Sequence, residues 1–174
     1  MAVVLLIPTE EEAAPLRAAL PGAAIRIAGV GMAAAAAATA AVIAAERPER
    51  LILAGIAGAY DRSIARCEVV AVAAERVGEL PARYGVRYEA GFLPAGLRAV
   101  EGNTTSRCGA PACGTQIENM EGAAFFSVCR QFGIPCAEVR AVSNYTDDPR
   151  SAWRIGESLE ALKRTLTEIL AEYE

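Results

Sequence analysis

The sequence predicts an α/β fold with a parallel central sheet, and three observations support this. Short runs of aliphatic and β-branched residues alternate with helical segments in the first third of the chain, at the spacing of a β-α-β-α-β unit. The 174 residues suit one domain, so we treat 1–174 as a single unit. The apolar fraction of 53% can fill the core between a sheet and its helices.

The first elements are bounded by clear signals. The apolar run over 2–7 (AVVLLI) predicts a buried strand. Thr9 and Glu12 have the spacing of a capping box, so a helix is expected from there to about Leu20. The predicted elements that follow are a strand over 24–28, a glycine turn over 29–31, an Ala-rich helix over 32–46, a strand over 50–54 and a turn over 55–59.

The second half contains one obscure region. A longer strand is predicted over 68–77, and residues 78–118 are expected to form loops with short strands near 84–89 and 97–101. The remaining predictions are a helix over 120–132 entered through Asn119, a strand over 135–142 and an amphipathic helix beginning near Trp153, whose apolar residues recur every three or four positions.

Composition excludes several functions. The net charge of −4 and the isoelectric point of about 5.1 disfavour nucleic-acid binding as the main role. The chain has no His, which excludes Ser-His-Asp and Cys-His mechanisms. Acid–base chemistry must therefore come from carboxylates, amides, Tyr or Lys.

The same features bear on location and on metals. No basic segment precedes the apolar N-terminus, and the Ala-rich run is too short to cross a bilayer, so we expect a cytoplasmic protein without membrane contact. The five cysteines are scattered and odd in number, which favours reduced thiols. Cys108 and Cys113 are close enough for a disulfide or half a metal site, but without His or a second Cys pair we expect no metal and no cofactor.

The segment over 118–148 (ENMEGAAFF … RAVSNYTDD) resembles the nucleoside phosphorylase and nucleosidase superfamily. PTEEEAAPL, GVGMAAAAAATA and LAGIAGAY also lie where that superfamily has matching segments. The resemblance implies a single-domain three-layer sandwich with a mixed, mainly parallel sheet, shortened in this chain. It also implies hydrolysis of the N-glycosidic bond of a purine nucleoside. NMEGAAFF and RAVSNY are most similar to the futalosine hydrolase subfamily, which acts in an alternative menaquinone pathway.

The resemblance assigns roles to three residues around the sugar. It implies that Glu121 binds ribose hydroxyls, that Met120 packs against the sugar and that Glu12 activates the attacking water. Each has a plainer interpretation, since Glu121 could complement a helix dipole, Met120 could be core and Glu12 could be a cap. The neighbouring Glu10 and Glu11 could also replace Glu12 as the functional carboxylate.

Asn144 is expected to discriminate between bases. Adenosine-type nucleosidases of the superfamily have an Asp at the matching position, and members that act on inosine- or guanosine-like bases tend to have Asn. An amide offers a donor and an acceptor but delivers no proton. Asn144 therefore argues for a 6-oxopurine such as hypoxanthine, although a turn Asn after a strand is common.

Four further residues are expected to line the substrate site. Ile56, Ala57 and Gly58 follow a predicted strand, where backbone N–H groups can approach a ligand. Close helix–strand packing would explain the same small residues. Asn119, just before Met120, is the fourth.

Several alternatives stay open. Negative charge in TEEE repels phosphate and favours a hydrolase over a phosphorylase. A methylthioadenosine/S-adenosylhomocysteine-type nucleosidase, a purine nucleoside phosphorylase and a nucleoside-binding protein without turnover remain possible. Residues 78–117 offer no aromatic to stack on the base after Phe92. A neighbouring subunit could supply it, since the resemblance also implies a homo-oligomer.

Overall fold

The computed structural model describes residues 3–173 of the chain. Within this range lie eight strands and four helices: β1 Val3–Ile7, α1 Glu10–Ala19, β2 Ala24–Ile27, α2 Met32–Glu46, β3 Arg50–Ala59, β4 Val69–Arg76, β5 Tyr88–Glu89, β6 Arg98–Thr104, β7 Ile117–Asn119, α3 Gly122–Phe132, β8 Cys136–Tyr145 and α4 Ile155–Ala171. Residue 2 of the first predicted strand lies outside the described residues.

All eight strands form one mixed sheet. β1 pairs in parallel with β2 and β3, β3 pairs in parallel with β8, and β6 pairs in parallel with β4 and β7. The pairs β3–β7, β4–β5 and β4–β8 are antiparallel. The succession β3–β8–β4–β6–β7 returns to β3, so these five strands close into a barrel-like ring. The predicted mixed, mainly parallel sheet is confirmed.

Helices cover the sheet in two layers around two apolar clusters. One cluster joins the sheet to α2 and α3 and contains Phe125 and Phe126, both fully buried. The other joins it to α1 and α4 through Leu16, Leu162 and Leu166. The three-layer arrangement predicted for the chain is therefore confirmed, and so is the apolar face of the last helix.

The first strand–helix junction follows its sequence signal closely. Thr9 is the N-cap of α1, and its hydroxyl oxygen accepts the Glu12 N–H at 3.2 Å. The Glu12 carboxylate does not return to the Thr9 backbone as in a full capping box. It accepts a hydrogen bond from the Thr9 hydroxyl at 2.8 Å instead, and this leaves its other oxygen for a contact across the sheet.

The predicted turn over 55–59 is wrong, because β3 continues without interruption to Ala59. This part of β3 pairs with β8 from Gly55↔Arg140 to Ala59↔Tyr145, with a register irregularity between Ala57 and Gly58. Glycine is needed at position 55, since a Cβ there would lie 2.8 Å from Arg140 Nη1. The small residues therefore mark close approach to neighbouring side chains and not a turn.

Two other boundaries differ from the sequence prediction. The helix predicted from 120 begins at Gly122, because β7 extends to Asn119 and the Asn119 side chain accepts the N–H groups of Glu121 and Gly122. The strand predicted over 135–142 continues to Tyr145. Of the helices in the described range, none combines the length and the apolar content that crossing a bilayer requires.

Candidate active site

All eight residues predicted for the site line one cavity of about 280 Å³. The loop after β1, the second half of β3, the β7–α3 junction and the end of β8 contribute its wall. The predicted lining residues are Glu12, Ile56, Ala57, Gly58, Asn119, Met120, Glu121 and Asn144. The structure thus brings together residues from both ends of the chain, while their individual roles stay predictions.

Glu12 is the buried member of the Glu10–Glu12 run. It is 7% exposed, whereas Glu10 and Glu11 are exposed. Glu12 Oε1 accepts the Ile56 N–H at 3.0 Å, which ties α1 to the middle of β3. Burial and this contact distinguish Glu12 from its two neighbours, although Glu11 also lines the cavity, and the catalytic role of Glu12 stays a prediction.

Glu121 connects the N-terminal ends of α2 and α3. It is 4% exposed and is the N-cap residue of α3, but its carboxylate does not cap that helix. Its Oε1 instead accepts the N–H of Gly31, the N-cap residue of α2, at 3.0 Å. Gly31 has a φ of 90°, which favours glycine there. The Gly29–Gly31 turn therefore presents a backbone donor to the cavity carboxylate.

Arg140 is the cation at the centre of the site. Its fully buried guanidinium donates to Glu121 Oε2 at 3.1 Å, to Glu138 Oε1 at 2.7 Å and to the Ile56 carbonyl at 3.3 Å. Burial alone would lower the pKa of Arg140, but the charges of Glu138 and Glu121 outweigh it and raise that pKa. Arg140 therefore stays charged and holds the carboxylates in place.

Two further carboxyl groups lie buried beneath the cavity. Glu75 Oε1 accepts from the Asn119 amide at 2.5 Å, and Glu75 Oε2 accepts from the Thr104 hydroxyl at 2.8 Å. Burial and the nearby charge of Glu138 raise the pKa of Glu75 well above its usual range. Burial also raises the pKa of Glu138, with Arg140 opposing the shift. Because Glu138 is ion-paired with Arg140, we infer that the proton resides on Glu75.

Asn119 links this acid pair to the cavity. Its Oδ1 accepts from Arg140 Nη2 at 3.2 Å and from the N–H groups of Glu121 and Gly122. Its Nδ2 donates to Glu75. These four contacts position Arg140 and Glu121, and the binding of substrate by Asn119 stays a prediction.

Asn144 is held at the end of β8. It is 2% exposed, its Oδ1 accepts the Ser143 hydroxyl at 2.7 Å, and its Nδ2 donates to the Tyr145 carbonyl at 2.9 Å. An amide has two N–H groups and its oxygen has two lone pairs, so a donor and an acceptor remain for a ligand.

Glu118 is another carboxylate of the cavity wall, and the sequence prediction did not include it. It accepts the N–H of Gly109 at 2.7 Å, the N–H of Ala110 at 3.2 Å and the hydroxyl of Tyr60 at 2.9 Å. Burial and the Glu118 charge raise the pKa of Tyr60, so this phenol stays protonated. Glu118 thereby holds the 106–112 loop beside the cavity.

An aromatic side chain also reaches the cavity, from the segment between β8 and α4. Trp153 lines the wall with Ile155 and Leu159. The Arg150 guanidinium lies 4.2 Å from the centre of the Trp153 ring. The stacking partner that could not be found in 78–117 has a candidate within the same chain.

Three of the site's residues were missed for different reasons. Arg140 had a signal, since Glu138 and Arg140 are two residues apart in the otherwise apolar segment 135–142 and so share one face of the strand. Trp153 and Glu118 had no local signal, because only the tertiary fold brings them to the cavity. Among residues 3–173, no three cysteine or carboxylate side chains gather in a way that could hold a metal ion.

Comparison with known proteins agrees with this architecture. The family model described as the phosphorylase superfamily matches residues 110–173, which include Met120, Glu121, Arg140 and Asn144. A curated relative, futalosine hydrolase of Thermus thermophilus, is 45% identical over 60 residues. That stretch covers 34% of this chain and 27% of the relative.

Solved structures share the fold over nearly the full chain. A futalosine hydrolase mutant of Helicobacter pylori superposes with a TM-score of 0.85 at 14% identity, covering 98% of both chains. The 5'-methylthioadenosine nucleosidase of Arabidopsis thaliana also gives a TM-score of 0.85, at 22% identity, and covers 97% of this chain and 94% of its own. At these identities the likeness shows the fold alone.

The sequence match at the β7–α3–β8 core of the cavity and the fold shared along the chain agree with the resemblance carried by ENMEGAAFF and RAVSNY. The chain is thus similar to the phosphorylase superfamily over residues 110–173, and over 60 residues its sequence is similar to a futalosine hydrolase.

Proposed function

We propose that this protein is a nucleosidase that hydrolyses the N-glycosidic bond of a purine nucleoside, with a 6-oxopurine nucleoside such as futalosine as the favoured substrate. One observation carries the proposal: Glu12 and Glu121 meet in a single cavity around the Arg140 guanidinium, and Asn144 lies in the same wall. Glu121 would bind the sugar, Glu12 would act as the general base, and Asn144 would contact the departing purine.

The sugar is assigned to Glu121. N-glycosidic cleavage passes through a ribosyl group with oxocarbenium character, as the hydrolysis of O-glycosides does. A buried carboxylate stabilises such a cation and accepts hydrogen bonds from two hydroxyl groups. Each oxygen of Glu121 has one protein donor, from Gly31 or Arg140, and keeps further lone pairs for ribose. Met120 follows the same wall and offers an apolar contact to the sugar.

The attacking water is assigned to Glu12. Its two oxygens accept from Ile56 and Thr9, which fix the carboxylate without filling its lone pairs. A water between Glu12 and Glu121 would lose its proton to Glu12 as it attacks the anomeric carbon. A general base of this kind contributes roughly 10²–10⁴-fold to the rate.

The leaving base is assigned to Asn144. As the C–N bond breaks, the purine gains electron density, which an N–H donor stabilises. Asn144 supplies such a donor but no proton. This suits a 6-oxopurine, whose ring nitrogen and carbonyl oxygen are both acceptors. The 45% identity to a futalosine hydrolase over 60 residues supports the same class of substrate.

An adenine nucleoside is the second candidate. The fold is equally close to 5'-methylthioadenosine nucleosidase, at 22% identity. Phosphorolysis is disfavoured, because the cavity lining contains more carboxylates than cations. The carboxylates are Glu11, Glu12, Glu118 and Glu121, and the cations are Arg140 and Arg150. Excess negative charge repels phosphate more than water. A cytoplasmic location, a role in menaquinone synthesis and a homo-oligomer stay predictions.

One assay tests the proposal. The purified protein is incubated with futalosine, inosine and 5'-methylthioadenosine, each with and without phosphate, and the free base is followed by chromatography. We expect hypoxanthine release from futalosine without phosphate. Adenine release from methylthioadenosine alone would transfer the proposal to the second candidate.

Two other outcomes would overturn the reaction type. Release that requires phosphate would make the protein a phosphorylase. Stabilisation by a nucleoside without release of base from any substrate would make it a binding protein.

A further inference from the structure

Glu138 lies buried beneath the cavity with one of its two carboxylate oxygens unpaired. Its Oε1 accepts from Arg140 Nε at 2.7 Å. Its Oε2 is buried as well, yet among residues 3–173 no guanidinium, amide or hydroxyl group donates to it. An unpaired charged acceptor is costly in a protein interior, so a further donor is expected beside this oxygen.

The carboxyl group of Glu75 lies at the same small space. A Cβ on Gly122 would lie 2.5 Å from Glu138 Oε2 and 2.7 Å from Glu75 Oε1, so both oxygens border one point that glycine leaves free. Glu75 is fully buried, and neither Thr104 nor Asn119, its two hydrogen-bond donors, carries a charge. A neutral carboxyl group has one O–H, and this is the donor that Glu138 Oε2 lacks.

The charges around Glu75 favour the neutral acid. β8 places Glu138 and Arg140 near it, and the Glu121 charge acts on Glu138 in turn. β6, β7 and the start of α3 present neutral groups, and the charged residues of β5, α4 and the rest of α3 are not buried. One cation therefore faces three carboxyl groups, and burial together with the Glu138 charge raises the pKa of Glu75.

Arg140 is shared between Glu138 and Glu121, and this sharing connects Glu75 to the cavity. The guanidinium donates from Nη2 to Glu121 Oε2 at 3.1 Å. An ionised Glu75 would put a second negative charge beside Glu138, and the two charges together would draw Arg140 away from Glu121. Asn119 adds a second connection, since its Nδ2 donates to Glu75 and its Oδ1 accepts from Arg140 at 3.2 Å.

We propose that Glu75 is a positioning residue whose carboxyl hydrogen bridges to Glu138 Oε2, and that this bridge keeps Arg140 in contact with the ribose-binding Glu121. The proposal rests on the proposed function for the identity of the ligand as a nucleoside. Glu75 is not among the residues that line the cavity, so it acts on the ligand only through Arg140 and Glu121.

Infrared spectroscopy tests the bridge without any ligand. The C=O band of a buried, protonated carboxyl group is followed from about pH 6 to about pH 9, a range in which buried glutamates titrate. We expect the wild type to show this band at the lower pH and to lose it within the range, and E75Q to lack it throughout. Glu101→Gln is the matched control, because it removes a carboxylate that pairs with Arg76 and Arg87 outside this cluster, and it should keep the band.

The variant E138Q tests whether Glu138 holds the proton. It removes both the charged acceptor and the neighbouring negative charge, so the midpoint of the Glu75 band should fall by at least about one pH unit. An unchanged midpoint would mean that burial alone protonates Glu75, and it would overturn the bridge. A wild type without the band, or with a band that does not titrate, would also overturn the proposal. E75Q carries the binding test, so the proposal can be refuted even if E138Q fails to fold.

Binding of formycin B tests the positioning, because the C–C glycosidic bond of this C-nucleoside analogue of inosine is not hydrolysed. Calorimetry over the same pH range should show the wild-type Kd rising roughly ten- to a hundred-fold, with the midpoint of the infrared band, since a hydrogen bond to a charged carboxylate is at stake. E75Q cannot ionise and should keep its Kd within about threefold across the range, whereas E101Q should follow the wild type. A merely structural Glu75 predicts that E75Q and the wild type respond to pH alike, which overturns the proposal.

Turnover then separates the two proposals. If formycin B binds with the expected pH dependence and no nucleoside loses its base, the nucleosidase proposal fails while the role of Glu75 stands. If base is released from futalosine but E75Q and the wild type respond to pH alike, the role of Glu75 fails and the nucleosidase stands. If the wild type does not bind formycin B, the role of Glu75 is overturned, and base release alone decides the nucleosidase proposal.

Discussion

Arg140 Nη2 lies 3.1 Å from Glu121 Oε2, and both side chains are almost completely removed from solvent. Arg140 also pairs with Glu138 at 2.7 Å. One guanidinium thus holds a cavity carboxylate on one side and a buried structural carboxylate on the other. A buried ion pair of this kind is costly to break, since the partner left behind cannot be solvated.

Replacing Arg140 should therefore destabilise the protein strongly. We expect R140M to lower the free energy of unfolding by about 3–5 kcal/mol, measured by urea denaturation. Arg26→Met is the matched control, because Arg26 makes a similar two-point contact with Glu46 at the surface. It should cost less than about 1 kcal/mol. Equal losses for the two variants would contradict the central position given to Arg140.

Removing the charge of Glu12 or of Glu121 should abolish most turnover. We expect E12Q and E121Q each to lower kcat by at least about two orders of magnitude, because a base or a cation-stabilising group is lost. Glu10→Gln is the control, since Glu10 is exposed and pairs only with Arg17 at 3.6 Å. Rates near the wild-type value for both E12Q and E121Q would refute the site assignment.

Trp153 should affect binding more than chemistry. If the base packs on its ring, W153A should raise KM about 5- to 150-fold, the range of base–aromatic stacking, while kcat changes little. W153F keeps an aromatic face and should restore most of the affinity. Steady-state kinetics of the three proteins decide the matter, and an unchanged KM in W153A would place the base elsewhere.

Glu75 should make stability fall as pH rises. Its pKa is raised in the folded protein above the ordinary 4.5, so the folded state binds the proton more tightly than the unfolded state. The resulting stabilisation is fully present below pH 4.5 and is lost as pH rises through the folded pKa, at up to about 1.4 kcal/mol per pH unit.

The variant E75Q isolates this effect, because a glutamine amide resembles the protonated acid and does not titrate. Urea denaturation between pH 4.5 and 8 should show E75Q gaining stability relative to the wild type as pH rises. Glu101 should show the opposite dependence on pH, because the hydrogen bond from Arg87 lowers its pKa below the ordinary 4.5. As pH rises through the range below 4.5, E101Q should therefore lose stability relative to the wild type. A constant difference between E75Q and the wild type would exclude a protonated Glu75.

Gly122 should tolerate no side chain. A Cβ there would lie 2.5 Å from Glu138 Oε2 and 2.7 Å from Glu75 Oε1, so G122A overpacks the buried acid pair and should cost about 1–3 kcal/mol. Gly156→Ala is the control, because nothing lies within 4 Å of its Cβ position in α4. That change should stabilise the protein by up to about 1 kcal/mol, and thermal unfolding distinguishes the two signs.

The positions of the main elements could be predicted from local sequence, since each depends on short-range signals. Thr9 marks the start of α1, and the three- and four-residue spacing of Leu159, Leu162 and Leu166 identifies the buried face of α4. The cavity carboxylates Glu12 and Glu121 were also found, because the resemblance was carried by their immediate neighbours.

The predictions that failed, and the residues that were missed, concern contacts between segments that are distant in the sequence. The glycine at 55 looked like a turn, and only the β3–β8 register shows that it makes room for Arg140. Likewise, nothing near Glu118 indicates that the loop at Gly109 folds over it or that Asn144 lies across Gly58. Such contacts are set by the closure of the sheet and leave no periodic trace in the sequence.

The ring of strands also determines when the sheet and its cavity can form during synthesis. β3 is synthesised before its partner β8, and residues 60–135 lie between the two strands. Until β8 follows, Glu12 has no Arg140 near it, and the β3 edge that later receives β8 stays open. A nascent chain would therefore expose an apolar strand edge while residues 60–135 are synthesised, and a chaperone that covers β3 would protect it during that interval.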